Sequence, residues 1–164
     1  RYQRRVITLW LLAPAGAAGA APSDMMQRIE AGEAPPLFAR SHEQFIQVLG
    51  YVTAKPPFIP GAVRDLLADR AIADHDLHTR IFDELWRERP ALEPVADRIQ
   101  APTLIVWGEA DRVLHPSGAK ILEKALPTAE ANVLPGIGHL PQLEAPGECA
   151  ELFRSFVSRF TQQR

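Results

Sequence analysis

Cysteine is almost absent from this 164-residue chain: Cys149 stands alone, so no internal disulfide can form and the redox compartment stays open. No apolar run reaches the ~20 residues that a helix needs to span a bilayer, which leaves any membrane association undetermined. Charge of either sign is unconcentrated. The 18 Lys and Arg against 20 Asp and Glu leave a net −2, without the clustered basic surface of a nucleic-acid binder, so no nucleic-acid partner is expected. Metal-ligand sets are also lacking. His75 and His78, with Asp74 and Asp76, sit on one expected helix, but no second cluster completes a four-ligand site; they read as a solvated face. No metal and no cofactor is expected. Proline, by contrast, is plentiful at fifteen, and many prolines fall at the joints between periodic segments.

The second half is the more legible. Thr103 to Trp107 is a short apolar run of β-formers closed by Gly108, and Ala129 to Leu134 is another, stopped by Pro135-Gly136. Between them Ala119, Leu122, Ala125 and Leu126 recur with helical spacing. From Pro146 to about Phe160, residues Leu152, Phe153, Phe156, Val157 and Phe160 mark one face of a helix. The alternation implies an α/β fold with parallel strands.

From about Ser23 to Pro94 no strand is expected. Helical patterns occupy His42–Val52, Gly61–Asp69 and Asp76–Arg87, with apolar faces of Phe45, Val48, Leu49 and Val52, then Val63, Leu66 and Leu67, then Leu77, Ile81 and Leu85. This segment reads as an all-helical insertion. The opening, RYQRRVITLWLLAPAG, has the letters of a signal peptide and equally those of a buried strand over Arg5–Leu12. The strand reading is preferred, because two strands alone make a poor core; it favours the cytoplasm and leaves an uncovered sheet edge prone to aggregation. Three parallel strands with flanking helices follow, divided as residues 1–16 (core), 17–93 (helical cap) and 94–164 (core).

Asp111 follows the strand at 103–107, and His139 follows the strand at 129–134. With one helix between them, the strands lie side by side and parallel, so both loops leave the same carboxyl edge, where ligands bind in open α/β sheets. Neighbouring strands are ~4.8 Å apart, which puts Asp111 within reach of His139 Nδ1. An aspartate there fixes the tautomer of a histidine acting as a base. Glycines ahead of each residue are expected to allow sharp turns. His115, before Pro116, reads as a loop residue near the site entrance, and Cys149 as a packed side chain.

APTLIVWGEADRVLHP and LPGIGHLPQLEAPGECAELFRSFV are very similar to the C-terminal end of α/β-hydrolases, and RRVITLWLLAPAG resembles the strand after their nucleophile helix. KPPFIPGAVRDLLADRAIADHDLHTRIFDELW resembles the cap of monoacylglycerol-lipase-like esterases. The resemblance implies Asp111 as triad acid, His139 as triad base, and Val113 and Leu140 facing an acyl pocket. It also implies a nucleophilic serine in a G-x-S-x-G elbow. Ser23, Ser41, Ser117, Ser155 and Ser158 have no such setting. The expectation is therefore the C-terminal portion of a serine ester hydrolase acting on a hydrophobic small-molecule acyl substrate, inactive alone and partnered by a missing N-terminal half. Epoxide, C–C bond or haloalkane hydrolysis on the same Asp–His pair stays open, as does a non-catalytic truncated or binding protein.

Overall fold

A computed structural model describes residues 5–161. Three strands, β1 (Leu9–Leu12), β2 (Thr103–Gly108) and β3 (Ala129–Leu134), form a parallel sheet in the order β1-β2-β3, with Leu9 opposite Thr103 and Thr103 opposite Ala129. Between β1 and β2 run four helices, α1 (Asp24–Glu30), α2 (His42–Val52), α3 (Gly61–Ala73) and α4 (His75–Glu88), then a 3-10 turn at Glu93–Arg98. Helix α5 (Ser117–Ala125) joins β2 to β3, and α6 (Pro141–Glu144) and α7 (Pro146–Thr161) follow.

Every residue of β2 is buried. Because a strand's side chains alternate between faces, β2 sorts its apolar residues into two cores. Ile105 and Trp107 pack with Ala119, Leu122 and Leu126 on the α5 side. Leu104 and Val106 pack with Cys149 and Phe156 of α7. Strand β1 divides likewise: Leu11 joins the first core, while Trp10 and Leu12 join the second, with the Trp10 ring stacked on Phe153 at 4.7 Å. Being covered on both faces is why these strands are apolar runs rather than alternating ones.

The structure departs from three expectations. The strand foreseen over Arg5–Leu12 is ordered as a strand only from Leu9, and Val6 and Ile7 are exposed. The ladder starts with Leu9 N donating to Pro102 O at 2.8 Å. Carried back two residues, the same register asks residue 102 to donate an amide proton to Ile7 O. Proline has none, so pairing stops there. The apolar stripes foreseen on the third and fourth of these helices face solvent rather than a core: Val63, Leu66 and Leu67 of α3, and Leu77, Ile81 and Leu85 of α4, are all exposed. The inward side of α4 is aromatic instead. Phe82 stacks on Trp86 and meets Phe38 edge-on, as His75 does. His75 is thus mostly enclosed, not part of a solvated face; its side chain is 12% exposed.

Helix α1 had no expectation. Ser23 caps it, accepting from Met26 N at 3.2 Å while donating to Val113 O at 2.7 Å. That second bond fastens α1 to the loop after β2. Met25, Tyr51, Val52 and Val113 then close a third apolar cluster, which brings α1 and α2 against the carboxyl edge of the sheet.

Candidate active site

Parallel pairing of β2 with β3 sends both of their following loops out of one edge, and backbone bonds lock the loops together. Glu109 N donates to Leu134 O at 3.0 Å, and Ala110 N to Ile137 O at 2.8 Å. Of the glycines ahead of Asp111 and His139, Gly136 supplies the positive φ of a sharp turn, at +64°, while Gly108 and Gly138 do not. Gly108 and Gly138 are needed for close approach. A Cβ on Gly108 would lie 1.9 Å from Gly138 O.

Asp111 and His139 meet in this edge. His139 Nδ1 lies 2.9 Å from Asp111 Oδ2. The Asp111 side chain has no solvent exposure, and that of His139 has 22%. A buried carboxylate is stable only when its lone pairs are satisfied, and here they are. Oδ1 accepts from Val113 N at 2.8 Å and Leu114 N at 3.0 Å; Oδ2 accepts from His139 and from Trp107 Nε1 at 3.0 Å. Trp107 also reaches Leu114 O at 3.1 Å. With Asp111 an acceptor on all sides, the bond at 2.9 Å places a proton on His139 Nδ1 and leaves the Nε2 lone pair to accept another. No group among the described residues hydrogen-bonds to Nε2. An imidazole so held can take a proton from a hydroxyl and return it.

None of the five serines supplies that hydroxyl. Ser23 and Ser41 cap α1 and α2, Ser117 bonds His115 Nδ1 at 2.9 Å, and Ser155 and Ser158 lie on α7. His115 is therefore tied to the start of α5. Val113 is almost fully buried within the third apolar cluster, and Leu140, half-buried beside His139, packs against that cluster. Cys149 is enclosed in the α7 core, where burial and Glu148 push its thiol up. Among the described residues no group of three or more His, Cys, Asp or Glu could hold a metal, and no helix is long and apolar enough to cross a membrane.

Two features of the edge carried no signal in the sequence pattern. Arg112, next to Asp111, lies over the Tyr51 ring at 4.3 Å, and the Tyr51 hydroxyl donates to Asp24 Oδ2 at 2.9 Å. Arg28 and Arg112 complete the network on Asp24 at 3.0 and 3.2 Å. Burial pulls the Asp24 carboxyl upward, but the Tyr51 hydroxyl, Arg28 and Arg112 outweigh it and hold it below its usual value. Burial and Asp24 push the Tyr51 hydroxyl well above its own. A carboxyl depressed on folding stabilises fully above its unfolded pKa of about 3.9 and loses that contribution as pH falls through the folded value. Asp24→Asn should therefore be less stable than the parent chain at neutral pH, with the gap closing in acid as pH falls through the depressed pKa of the folded state. Urea midpoints at the two pH values measure it, and a gap unchanged with pH contradicts the charge network. The second feature is Glu144, whose carboxylate accepts from the amides of Gly138, Ala54 and Lys55.

The family model described as serine aminopeptidase, S33, matches residues 1–146. The chain belongs to this family. Among its relatives, the S33 chain is 28% identical over 165 residues to Lipase 1 of Psychrobacter immobilis, covering 100% of this chain and 52% of that protein. It is 30% identical over 168 residues to monoacylglycerol lipase ABHD6 of Homo sapiens, covering 96% and 49%. A solved structure described as a membrane phospholipase A, a bacterial virulence factor, superposes with TM-score 0.91 at 32% identity, over 98% of this chain and 51% of that one. The three parallel strands and their helices are thus α/β-hydrolase architecture. The S33 chain spans about half the length of the relatives it matches.

Proposed function

We propose that this chain supplies the acid and base of a serine carboxylic-ester hydrolase, with the nucleophile and oxyanion amides contributed by a segment outside it. The observation that carries the reading is the 2.9 Å bond from His139 Nδ1 to the enclosed Asp111 carboxylate, with Nε2 unpartnered among the described residues. His139 Nε2 takes the proton as a serine oxygen attacks the acyl carbonyl, then gives it to the departing alkoxide. A water, deprotonated in turn by His139, releases the carboxylic acid. Asp111 holds the Nδ1–H tautomer and balances the imidazolium charge.

An ester, rather than the epoxide, C–C or haloalkane substrates of the same architecture, is favoured by the lipase and monoacylglycerol lipase names of the curated relatives. In this reading residues 17–93 form a helical cap between the core segments 1–16 and 94–164. Leu140, with Val113 behind it, forms the apolar wall for the acyl chain. Two measurements test it together. The chain alone should neither hydrolyse a p-nitrophenyl acyl ester nor take label from a fluorophosphonate. A polypeptide joining it to a G-x-S-x-G segment should do both. Labelling of a serine within this chain, or a labelled joined polypeptide that turns over no ester, overturns the proposal.

A further inference from the structure

Glu144 is a second carboxylate in the histidine loop, and its partners are all backbone amides. Gly138 N donates to its two oxygens at 3.0 and 3.1 Å, while Ala54 N and Lys55 N donate to Oε2 at 2.7 and 2.8 Å. A carboxylate that merely closed the turn into α6 would be served by Gly138 alone. Ala54 and Lys55 lie 90 and 89 residues away in sequence, in the connector between α2 and α3. Hydrogen bonds to an ionised acceptor are about twice as strong as neutral ones, so this junction is a firm one between distant segments.

The connector is also pressed against the loop. A Cβ on Gly138 would lie 2.6 Å from Ala54 N, 2.9 Å from Glu144 Oε1 and 3.0 Å from Thr53 C, leaving no space for any side chain. One residue further, His139 N donates to Val52 O at 2.8 Å. The backbone on both sides of the Gly138–His139 peptide is thereby tied to the end of α2 and the connector after it. Asp111 fixes one ring nitrogen of His139, but a single bond leaves the ring free to swing about it. Where Nε2 is directed depends on where the His139 backbone is held.

We propose that Glu144 is a positioning residue, clasping the α2–α3 connector to the histidine loop and so setting the direction of His139 Nε2. The proposal rests on the reading of His139 as the base. It makes the connector, which carries the almost fully exposed Phe58, a lever on that base: when Lys55–Pro60 moves, His139 moves with it.

The test needs no turnover and uses the chain as it is. Amide hydrogen exchange reports the clasp, and the nuclear magnetic resonance signal of the His139 Nδ1–H reports the ring. In Glu144→Ala the amides of Ala54, Lys55 and Gly138 should exchange about tenfold faster or more, and the Nδ1–H signal should broaden or vanish, while β2 and β3 stay protected. Glu144→Gln keeps one acceptor oxygen and should fall between. If Glu144→Ala loses protection throughout the sheet, the same readouts on Glu144→Gln decide. Faster exchange at Ala54 and Lys55 with an unchanged His139 signal overturns the proposal, making Glu144 an anchor for the connector only. Unchanged exchange overturns it as well. Absence of the Nδ1–H signal in the unaltered chain instead refutes the Asp111–His139 pairing itself, which separates failure of the clasp from failure of the functional reading.

Discussion

His139→Ala, in a polypeptide that joins this chain to a nucleophile-bearing segment, should lower kcat about 10⁶-fold, with KM changed far less. The other described candidates at the edge are engaged elsewhere: Glu144 with backbone amides, Glu109 with Gly136 N, and His115 with Ser117. Asp111→Asn should lower kcat about 10⁴-fold, by a different route. Val113 N and Leu114 N both donate to Oδ1, so the asparagine oxygen stays with them and its amide nitrogen takes the place of Oδ2. That nitrogen meets the Trp107 N–H as donor against donor and offers His139 a proton where it had offered an acceptor. The imidazole then keeps its own proton on Nε2, the tautomer that cannot act as a base. Steady-state kinetics on a p-nitrophenyl ester decide the matter, and turnover at the parent rate in either variant shows the roles to be misassigned.

Among the glycines, Gly108→Ala should be the most damaging substitution. Its Cβ would sit 1.9 Å from Gly138 O, 2.3 Å from Ile137 O and 2.7 Å from Ile137 C, all backbone atoms with no rotamer to relieve the overlap. Overpacking usually costs about 1–3 kcal/mol, and clashes with fixed backbone fall at or beyond the upper end. Relief requires the β2 and β3 loops to part, which stretches the bond from Ala110 N to Ile137 O and with it the Asp111–His139 pair. The urea midpoint should fall and the Nδ1–H signal weaken together. Gly147→Ala is the matched control. It lies in α7 with nothing within 4 Å of the added methyl, so helix propensity should make it neutral or mildly stabilising. Equal stability for the two alanine variants contradicts the close approach.

The Asp111–His139 contact was legible because it depends on neighbours. Two β-forming runs, one intervening helix and the right-handed crossover rule suffice to put Asp111 and His139 at one edge. Features that depend on distant partners were not. Pro102 decides where β1 begins, although the two are far apart in sequence and nothing in RRVITLWLL signals it. The same holds for Glu144, whose acceptor role needs Ala54 and Lys55. Periodicity found the stripes on α3 and α4 but not which way they face. Leu77, Ile81 and Leu85 form the regular apolar row, yet the aromatic pair Phe82 and Trp86 has more surface to bury and takes the inward side. Trp107 read only as a strand residue, because a strand pattern does not reveal that its indole N–H will find Asp111.

The placement of the four helices between β1 and β2 bears on how the chain can change over evolutionary time. Closing β1 onto β2 spans about 90 residues and closing β2 onto β3 about 20, and closure entropy grows only with the logarithm of that span. Doubling the longer excursion adds only about 0.6 kcal/mol, while Asp111 and His139 belong to the shorter one. Insertions and deletions among the helices are thus cheap and leave the Asp111–His139 pair assembled, provided the few residues around Val52 to Lys55 that touch the histidine loop are retained. The helical excursion is where the chain can vary at little thermodynamic risk.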